Sequence, residues 1–332
     1  MFQTLFMMLL VALGFLLGGI QSESISAESP APERAQPAST QKRAILVTGA
    51  TTGIGRKTAE LLAREGFHVY AGARKDSDME ALDAIENIQA IRLDVTVPEQ
   101  IDAALQTVIE GGLGLFGLIN NAGVAVVSPL TELPEQDLEF ILDVNVKGPY
   151  RVTKAFAPLL LESGGRVSTT GSISGVLPWT LGGAYCMSKH AMEAYADVLA
   201  SELEPRGVKV SIVEPGNYQS NITATLRQRL VQQGYSSEGS LYKEQMDAFL
   251  NRKQDRKQFK EADDVAQAFL QAMTAEHPKH RYMVVPNALE ARMTLAAAMR
   301  RVVQLNHDQP FTLSRDELME LLDEILVQES SE

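Results

Sequence analysis

Apolar positions along the chain fall into two rhythms. Ala44-Ile45-Leu46-Val47 is a continuous apolar run of strand length, and strand-like runs recur at Phe67 to Ala73, Ile88 to Leu93, Leu115 to Asn120, Val208 to Val213 and Arg281 to Val285. Between and after them, Lys57 to Ala63, Glu261 to Met273 and Leu289 to Val303 read as helices with apolar faces. Strands alternating with helices predict an α/β fold built on one parallel, doubly wound sheet with helices on both faces. At 332 residues and 45% hydrophobic content, the chain can bury a large core as one domain. Ligands on such sheets bind outside the carboxyl ends of the strands. Gly49, Asp94, Asn120 and Ser172 all lie at or just past a strand's end, so one crevice is expected to gather them.

The rhythm breaks in three places. Residues 1–20 hold a charge-free run, Leu5 to Ile20, dense in Leu, Met, Val and Phe, and residues 21–41 turn to Ser, Glu, Pro and Ala, a linker composition. The pattern fits a membrane anchor or a signal segment: Phe2 to Ile20 is just long enough to span, while the run lacks the basic residues that open a signal peptide and Ser24-Ile25-Ser26 offers a small-residue cleavage site. Asn217 to Arg256 shows no clear period and many polar residues, and reads as a loop. In the last stretch, 287–332, Ser314-Arg315-Asp316-Glu317 is a capping box opening an acidic helix, Leu318 to Val327. This helical extension could close a pocket, contact a membrane, join subunits or simply pack on the surface. The main domain is read as 42–286.

Candidate chemistry sits in two clusters. Thr48-Gly49-Ala50-Thr51-Thr52-Gly53-Ile54-Gly55 falls where a strand turns into a helix. There, backbone N–H groups face an anion and residues without a Cβ let a pyrophosphate come close. Further on, Tyr185 and Lys189 stand four residues apart and share a helix face, so an ammonium sits beside a phenol and favours its ionised form. A phenol titrating near about 10 needs such a neighbour to serve as an acid or base at neutral pH. Cys186, the only cysteine, is turned away from Tyr185 by about 100° and reads as a buried spectator.

Taken together these motifs resemble the short-chain dehydrogenase/reductase family over roughly residues 41 to 285, and within it the retinol and hydroxysteroid dehydrogenase branch. Thr48-Gly49, Gly53 and Gly55 match its cofactor motif, Leu93-Asp94-Val95 its adenine segment, Asn120-Asn121-Ala122-Gly123 the motif closing the fourth strand, and Pro215-Gly216 the turn after the sixth. Asn145 in Val144-Asn145-Val146 and Ser172, thirteen positions before Tyr185, match the remaining catalytic positions. The strand before Ser172 is unusually polar, with Gly171 where a Ser is common, and Ser220 replaces a common Thr. The resemblance implies a Rossmann-type sheet and reversible hydride transfer between a nicotinamide and a lipophilic alcohol or carbonyl. It implies Asn145, Ser172, Tyr185 and Lys189 as catalytic residues, Asn145 positioning a water that connects Lys189 to solvent. It further implies Thr48, Gly49, Thr51, Thr52, Gly53, Ile54, Gly55, Arg74, Asp94, Val95, Asn121, Ala122, Gly123, Tyr185, Lys189, Pro215, Gly216 and Ser220 as the cofactor site. Two readings stand beside it: a non-catalytic NAD(P)-binding sensor, which usually loses Tyr, Lys or Ser, and a sugar-nucleotide epimerase-like enzyme, which carries a larger C-terminal domain.

In this family the residue ending the second strand meets the adenosine ribose, and a carboxylate there selects NAD. That place falls to Ala73, followed by Arg74 and Lys75, a fork and an ammonium suited to a phosphate; NADP is the expected cofactor, with NAD the alternative. A net charge of −12 without a basic stripe argues against nucleic acid, and the histidines show no metal-ligand spacing. A nicotinamide enzyme needs a dissolved cofactor pool, so residues 2–20 are expected to anchor a catalytic domain on the cytoplasmic side, export after cleavage being the other outcome. A homo-oligomer is left open.

Overall fold

The computed structural model describes residues 42–251 and 259–329. Its strands are β1 (Ala44–Val47), β2 (His68–Ala73), β3 (Ile88–Arg92), β4 (Gly117–Asn120), β5 (Arg166–Thr170), β6 (Lys209–Pro215) and β7 (Arg281–Val284). They form a single sheet in the order β3-β2-β1-β4-β5-β6-β7, every neighbouring pair parallel. The chain runs outward from β1 to β3, then returns to lay β4 on the other side of β1. That reversal opens a crevice beyond the carboxyl ends of β1 and β4.

The helices are α1 (Gly53–Arg64), α2 (Asp76–Asp83), α3 (Pro98–Glu110), α4 (Glu135–Leu142), α5 (Gly148–Ser163), α6 (Gly183–Leu203), α7 (Ile222–Gln232), α8 (Lys243–Asn251), α9 (Asp263–Thr274), α10 (Ala288–Asn306) and α11 (Arg315–Glu329). Alternation along β1 sends Ala44 and Leu46 to one face and Ile45 and Val47 to the other. Ile45 and Val47 pack with Ala59 and Leu62 of α1 and with Phe269 and Met273 of α9. Ala44 and Leu46 join Ile101 and Val108 of α3 and Phe156 and Leu160 of α5. Each fully buried Val, Leu, Ile, Phe or Met side chain among them contributes about 1.5–3 kcal/mol, which is why a four-residue strand with no polar face sits at the centre of the sheet.

Several helix ends shift by one to three residues, and two stretches depart further from the sequence expectation. The first helix starts at Gly53, not Lys57, because Thr52 takes the extended conformation of an N-cap and Gly53, at φ +56°, turns the chain into the helix; the glycine motif therefore supplies the helix's first turn. The segment from Asn217, read as a loop, instead contains α7 and α8. Their inward residues Leu226, Leu230 and Met246 cluster with Val127, while polar residues occupy the outer faces and blur the period in the sequence. Residues 252–258 of that segment lie outside the described residues.

The capping box forms as expected: Glu317 N donates to Ser314 Oγ at 3.3 Å and Ser314 N to Glu317 Oε2 at 2.7 Å. The run Leu5 to Ile20 and the linker 21–41 lie outside the described residues. Among those described, no helix is long and apolar enough to cross a membrane.

Candidate active site

Thr48 leaves β1 and organises the crevice. Its hydroxyl accepts from Asn121 N (2.9 Å) and Ala122 N (3.0 Å), tying the end of β1 to the end of β4. Asn121 Nδ2 returns the link by donating to Thr48 O (3.0 Å) and Gly49 O (3.1 Å). This brace forces backbones together. A Cβ on Gly55 would fall 2.3 Å from both Gly49 O and Asn121 Nδ2, and Gly49 itself lies at φ +63° with Ala122 Cα 2.8 Å from where its Cβ would stand. Thr51, Thr52, Gly53 and Ile54 then carry the chain into α1, whose first turn has no side-chain cap and no acidic residue. The N–H groups of that turn are therefore left to an anion, and the helix dipole favours one. Ser220, beyond the Pro215-Gly216 turn, closes over the same spot: its Cβ is 3.5 Å from the place of a Cβ on Gly53.

Asp94 and Val95 follow β3. Val95 is buried against Gly148 at the start of α5. Burial pushes the Asp94 carboxyl up, but hydrogen bonds from Thr96 N (3.0 Å) and Thr96 Oγ1 (2.7 Å) and the nearby Arg74 cation outweigh it and hold it below the usual carboxylate range. Arg74 Nη1 lies 3.5 Å from Asp94 Oδ2, with the guanidinium 68% exposed at the rim. Ala73 ends β2, buried and without a carboxylate. Opposite it in the register stands Arg92, which donates to Arg74 O (2.7 Å) and pairs with Asp76. Sequence reasoning passed over Arg92; only strand pairing brings it to this corner.

The second cluster gathers around α6. Ser172 caps a short 3-10 turn, Ile173–Gly175, and its hydroxyl accepts from Ser174 N at 3.1 Å, which leaves the hydroxyl hydrogen for another acceptor. Lys189, 6% exposed, donates from Nζ to Thr170 O at 2.7 Å, so the last residue of β5 anchors the ammonium. Thr170 Oγ1 meanwhile donates to Asn121 Oδ1 (3.3 Å), joining this cluster to the glycine turn. The Lys189 Nζ stands 5.8 Å from the centroid of the Tyr185 ring. Burial lowers the lysine to about 8, opposed by the Glu193 carboxyl one turn further along α6. Cys186 is buried, and burial raises its thiol, consistent with a spectator.

Asn145 lies in a single π-helical turn, Asp143–Lys147. Its Oδ1 accepts from Val124 N (2.8 Å), and its Nδ2 donates to Val124 O (2.9 Å) and Ser188 Oγ (3.0 Å). Both amide hydrogens are thus committed, and the side chain braces the Gly123-Val124 segment against α6. Gly123 sits beside it, a Cβ there falling 3.5 Å from Asn145 Oδ1. The Pro215-Gly216 turn is held by a residue the sequence did not single out: Glu290 Oε2 of α10 accepts from Asn217 N at 2.8 Å.

Above these groups the wall is apolar. Val124 and Val126 pack with Ala184, Phe140 and Tyr185, while the alternate residues Ala125 and Val127 pack with Leu226, Leu230 and Met246 of α7 and α8. Among the described residues there is no group of three or more metal-ligating side chains.

Comparison with known proteins agrees with this geometry. The model of the family described as short chain dehydrogenase matches residues 43–230. Retinol dehydrogenase 16 of Mus musculus is 36% identical over 255 residues, which cover 73% of this chain and 80% of that protein. Retinol dehydrogenase 5 of Mus musculus is 40% identical over 184 residues, covering 54% of this chain and 58% of its own length. The crystal structure of a short-chain dehydrogenase from Streptomyces avermitilis superposes with a TM-score of 0.68 at 28% identity, covering 80% of this chain and 96% of that one.

Proposed function

The chain belongs to the short-chain dehydrogenase family, and on that premise we propose that it interconverts an alcohol and its carbonyl using NADP(H), with a lipophilic substrate of retinoid or steroid type. The observation that carries the reading is Lys189: a buried ammonium, lowered to about 8, one helical turn from Tyr185 and anchored on Thr170 O. An ammonium is costly to bury without a use for its charge.

The residues suit a dinucleotide. The uncapped first turn of α1 offers N–H groups to a pyrophosphate, Asp94 and Val95 would flank the adenine, and Gly123, Pro215, Gly216 and Ser220 would border the nicotinamide. When bound, the nicotinamide supplies or accepts the hydride. In reduction, Tyr185 would give its proton to the substrate oxygen while Ser172 donates a hydrogen bond to that oxygen. Lys189 would hold the ribose hydroxyls and replenish the phenol through them. Asn145 would keep the Gly123-Val124 wall in register with α6, so that the substrate carbon meets the cofactor at a fixed distance.

NADP is favoured over NAD by the lack of a carboxylate at Ala73 and by Arg74 at the rim. The substrate class is favoured by the retinol dehydrogenase relatives. Residues 2–20 are proposed as an anchor that keeps the catalytic domain on the cytoplasmic side.

The reading is tested by following the absorbance of the reduced nicotinamide over a panel of lipophilic primary and secondary alcohols and their carbonyls. Turnover of at least one pair is expected. A full-length protein that binds the cofactor tightly and turns over none of them would favour the sensor.

A further inference from the structure

Behind the Ser172 turn lies a charged cluster, buried at its Glu214 end and open to solvent at Asp197, that the proposed reaction leaves without a role. Glu193 stands one helical turn beyond Lys189 on α6, Glu214 is on β6 and 2% exposed, and Arg281 opens β7. Arg281 donates to Glu193 Oε2 from Nε (3.2 Å) and Nη2 (3.0 Å), and to Asp197 Oδ1 from Nη2 (3.0 Å). Its Nε also lies 2.6 Å from Glu214 Oε1, but that oxygen gains no hydrogen bond, the N–H being directed to Glu193; the contact is ionic only. Asp197 meets His280 Nε2 at 2.9 Å.

The hydrogen bonds of this cluster do not close if every carboxyl is ionised. Glu193 Oε1 and Glu214 Oε1 are both buried and neither receives a hydrogen bond, although the two carboxyls are direct neighbours. Two carboxylates are acceptors only and cannot satisfy one another. A single proton repairs both, because the protonated oxygen donates to the other. Burial, then the Glu214 carboxyl, push Glu193 up to about 8 against the pull of Arg281. The chain also makes room for this carboxyl: a Cβ on Gly175 would fall 2.5 Å from Glu193 Oε1, and one on Gly171 would fall 3.1 Å away. The glycines on either side of Ser172 thus leave the space that the Glu193 carboxyl fills.

We propose that Glu193 and Glu214 share one proton and act as positioning residues, the pair serving as buried counter-charge to Lys189 while its Glu193 edge supports the turn that carries Ser172. This rests on the roles given above to Lys189 and Ser172. The charged and titratable groups facing Glu193 are Lys189 and Asp197 from α6, Glu214 from β6, and Arg281 with the preceding His280 from β7; the turn 171–175 adds none. Because the folded Glu193 titrates above its unfolded value of 4.5, its contribution to stability is full below that value and is lost as pH rises through about 8.

Infrared spectra of the full chain in H2O and D2O test the shared proton without any substrate. A protonated-carboxyl C=O band is expected at pH 7, shifting in D2O, fading as pH rises past about 8, and absent from both Glu193→Gln and Glu214→Gln. A native spectrum at pH 7 lacking that band overturns the shared proton, whatever the catalytic assignment. The positioning role is read from the pH dependence of cofactor binding, followed by NADPH fluorescence. Glu193→Gln removes the nearer charge, so Lys189 loses its proton earlier and the alkaline limit of binding is expected to fall by about one pH unit. Glu214→Gln leaves Glu193 fully ionised and should move the limit the other way. Movement in the same direction, or none, overturns the positioning role. If Glu193→Gln does not fold, an unmoved or lowered limit in Glu214→Gln does so alone. Lys189→Met separates the failures: undiminished cofactor binding there breaks the assignment of Lys189 itself, whereas lost binding there with unmoved limits in the glutamate variants breaks only the positioning role.

Discussion

Arg74 shows how far a single residue can be read from sequence. Its place after the second strand is the basis on which we propose it as a phosphate ligand, and its guanidinium is 68% exposed. What spacing does not reveal is that Asp94, from the next strand, lies 3.5 Å from the same guanidinium. An exposed pair of this kind is worth little by itself, so a phosphate can still compete for the cation. The parent is expected to prefer NADPH over NADH in kcat/KM by about tenfold to hundredfold, and both Ala73→Asp and Arg74→Ala should lower that ratio. A parent that prefers NADH, or an Ala73→Asp protein with an unchanged ratio, would show that the end of β2 does not choose the cofactor. Helix spacing alone predicts that Lys189 stands beside Tyr185, and its Nζ lies 5.8 Å from the centroid of that ring. Glu193, Glu214 and Arg281 were not legible in that way. They come from α6, β6 and β7, and a Glu on a helix reads as solvated until the sheet register places it against another carboxyl.

At the scale of elements, six of the seven strands stand out as short apolar runs, because a strand covered on both faces needs few polar positions, whereas Ser168, Thr169 and Thr170 break the run in β5, which only the resemblance placed before Ser172. The helices α7 and α8 escaped, since only one narrow face of each is buried and the rest is rich in Thr, Gln and Arg in α7 and in Lys, Glu, Gln and Asp in α8. The first helix was recognised but begun too late, the glycines having been assigned wholly to the turn. Their real place in the first helical turn makes a specific demand. Gly55→Ala forces a methyl into the Gly49 carbonyl and the Asn121 amide, so the backbone itself has to shift. A loss of about 1–3 kcal/mol is expected, or several degrees in thermal unfolding at roughly 2–4 °C per kcal/mol, with weakened cofactor binding. Gly123→Ala, whose added Cβ meets Asn145 Oδ1 only at 3.5 Å, should be far milder. Equal losses in the two variants would mean that the close approach of β1, α1 and β4 is not what the glycine secures.

For the whole molecule, we propose that the hydrophobic run ahead of the α/β domain serves as an anchor. Full-length protein is expected in the membrane fraction, resistant to high salt and released by detergent, and deletion of residues 1–40 should give a soluble enzyme with its activity kept. A mature chain beginning near Ala27 and recovered outside the cytoplasm would contradict anchoring and remove the enzyme from its cofactor pool. The account as a whole turns on whether one phenol moves the proton. The direct measurement is kcat, with the cofactor dissociation constant, for the parent and Tyr185→Phe on any substrate the parent turns over. The ring is kept and only the hydroxyl is lost, so kcat is expected to fall by a factor on the order of 10² or more while cofactor affinity is nearly unchanged. A Tyr185→Phe protein that retains the parent's turnover would contradict the account.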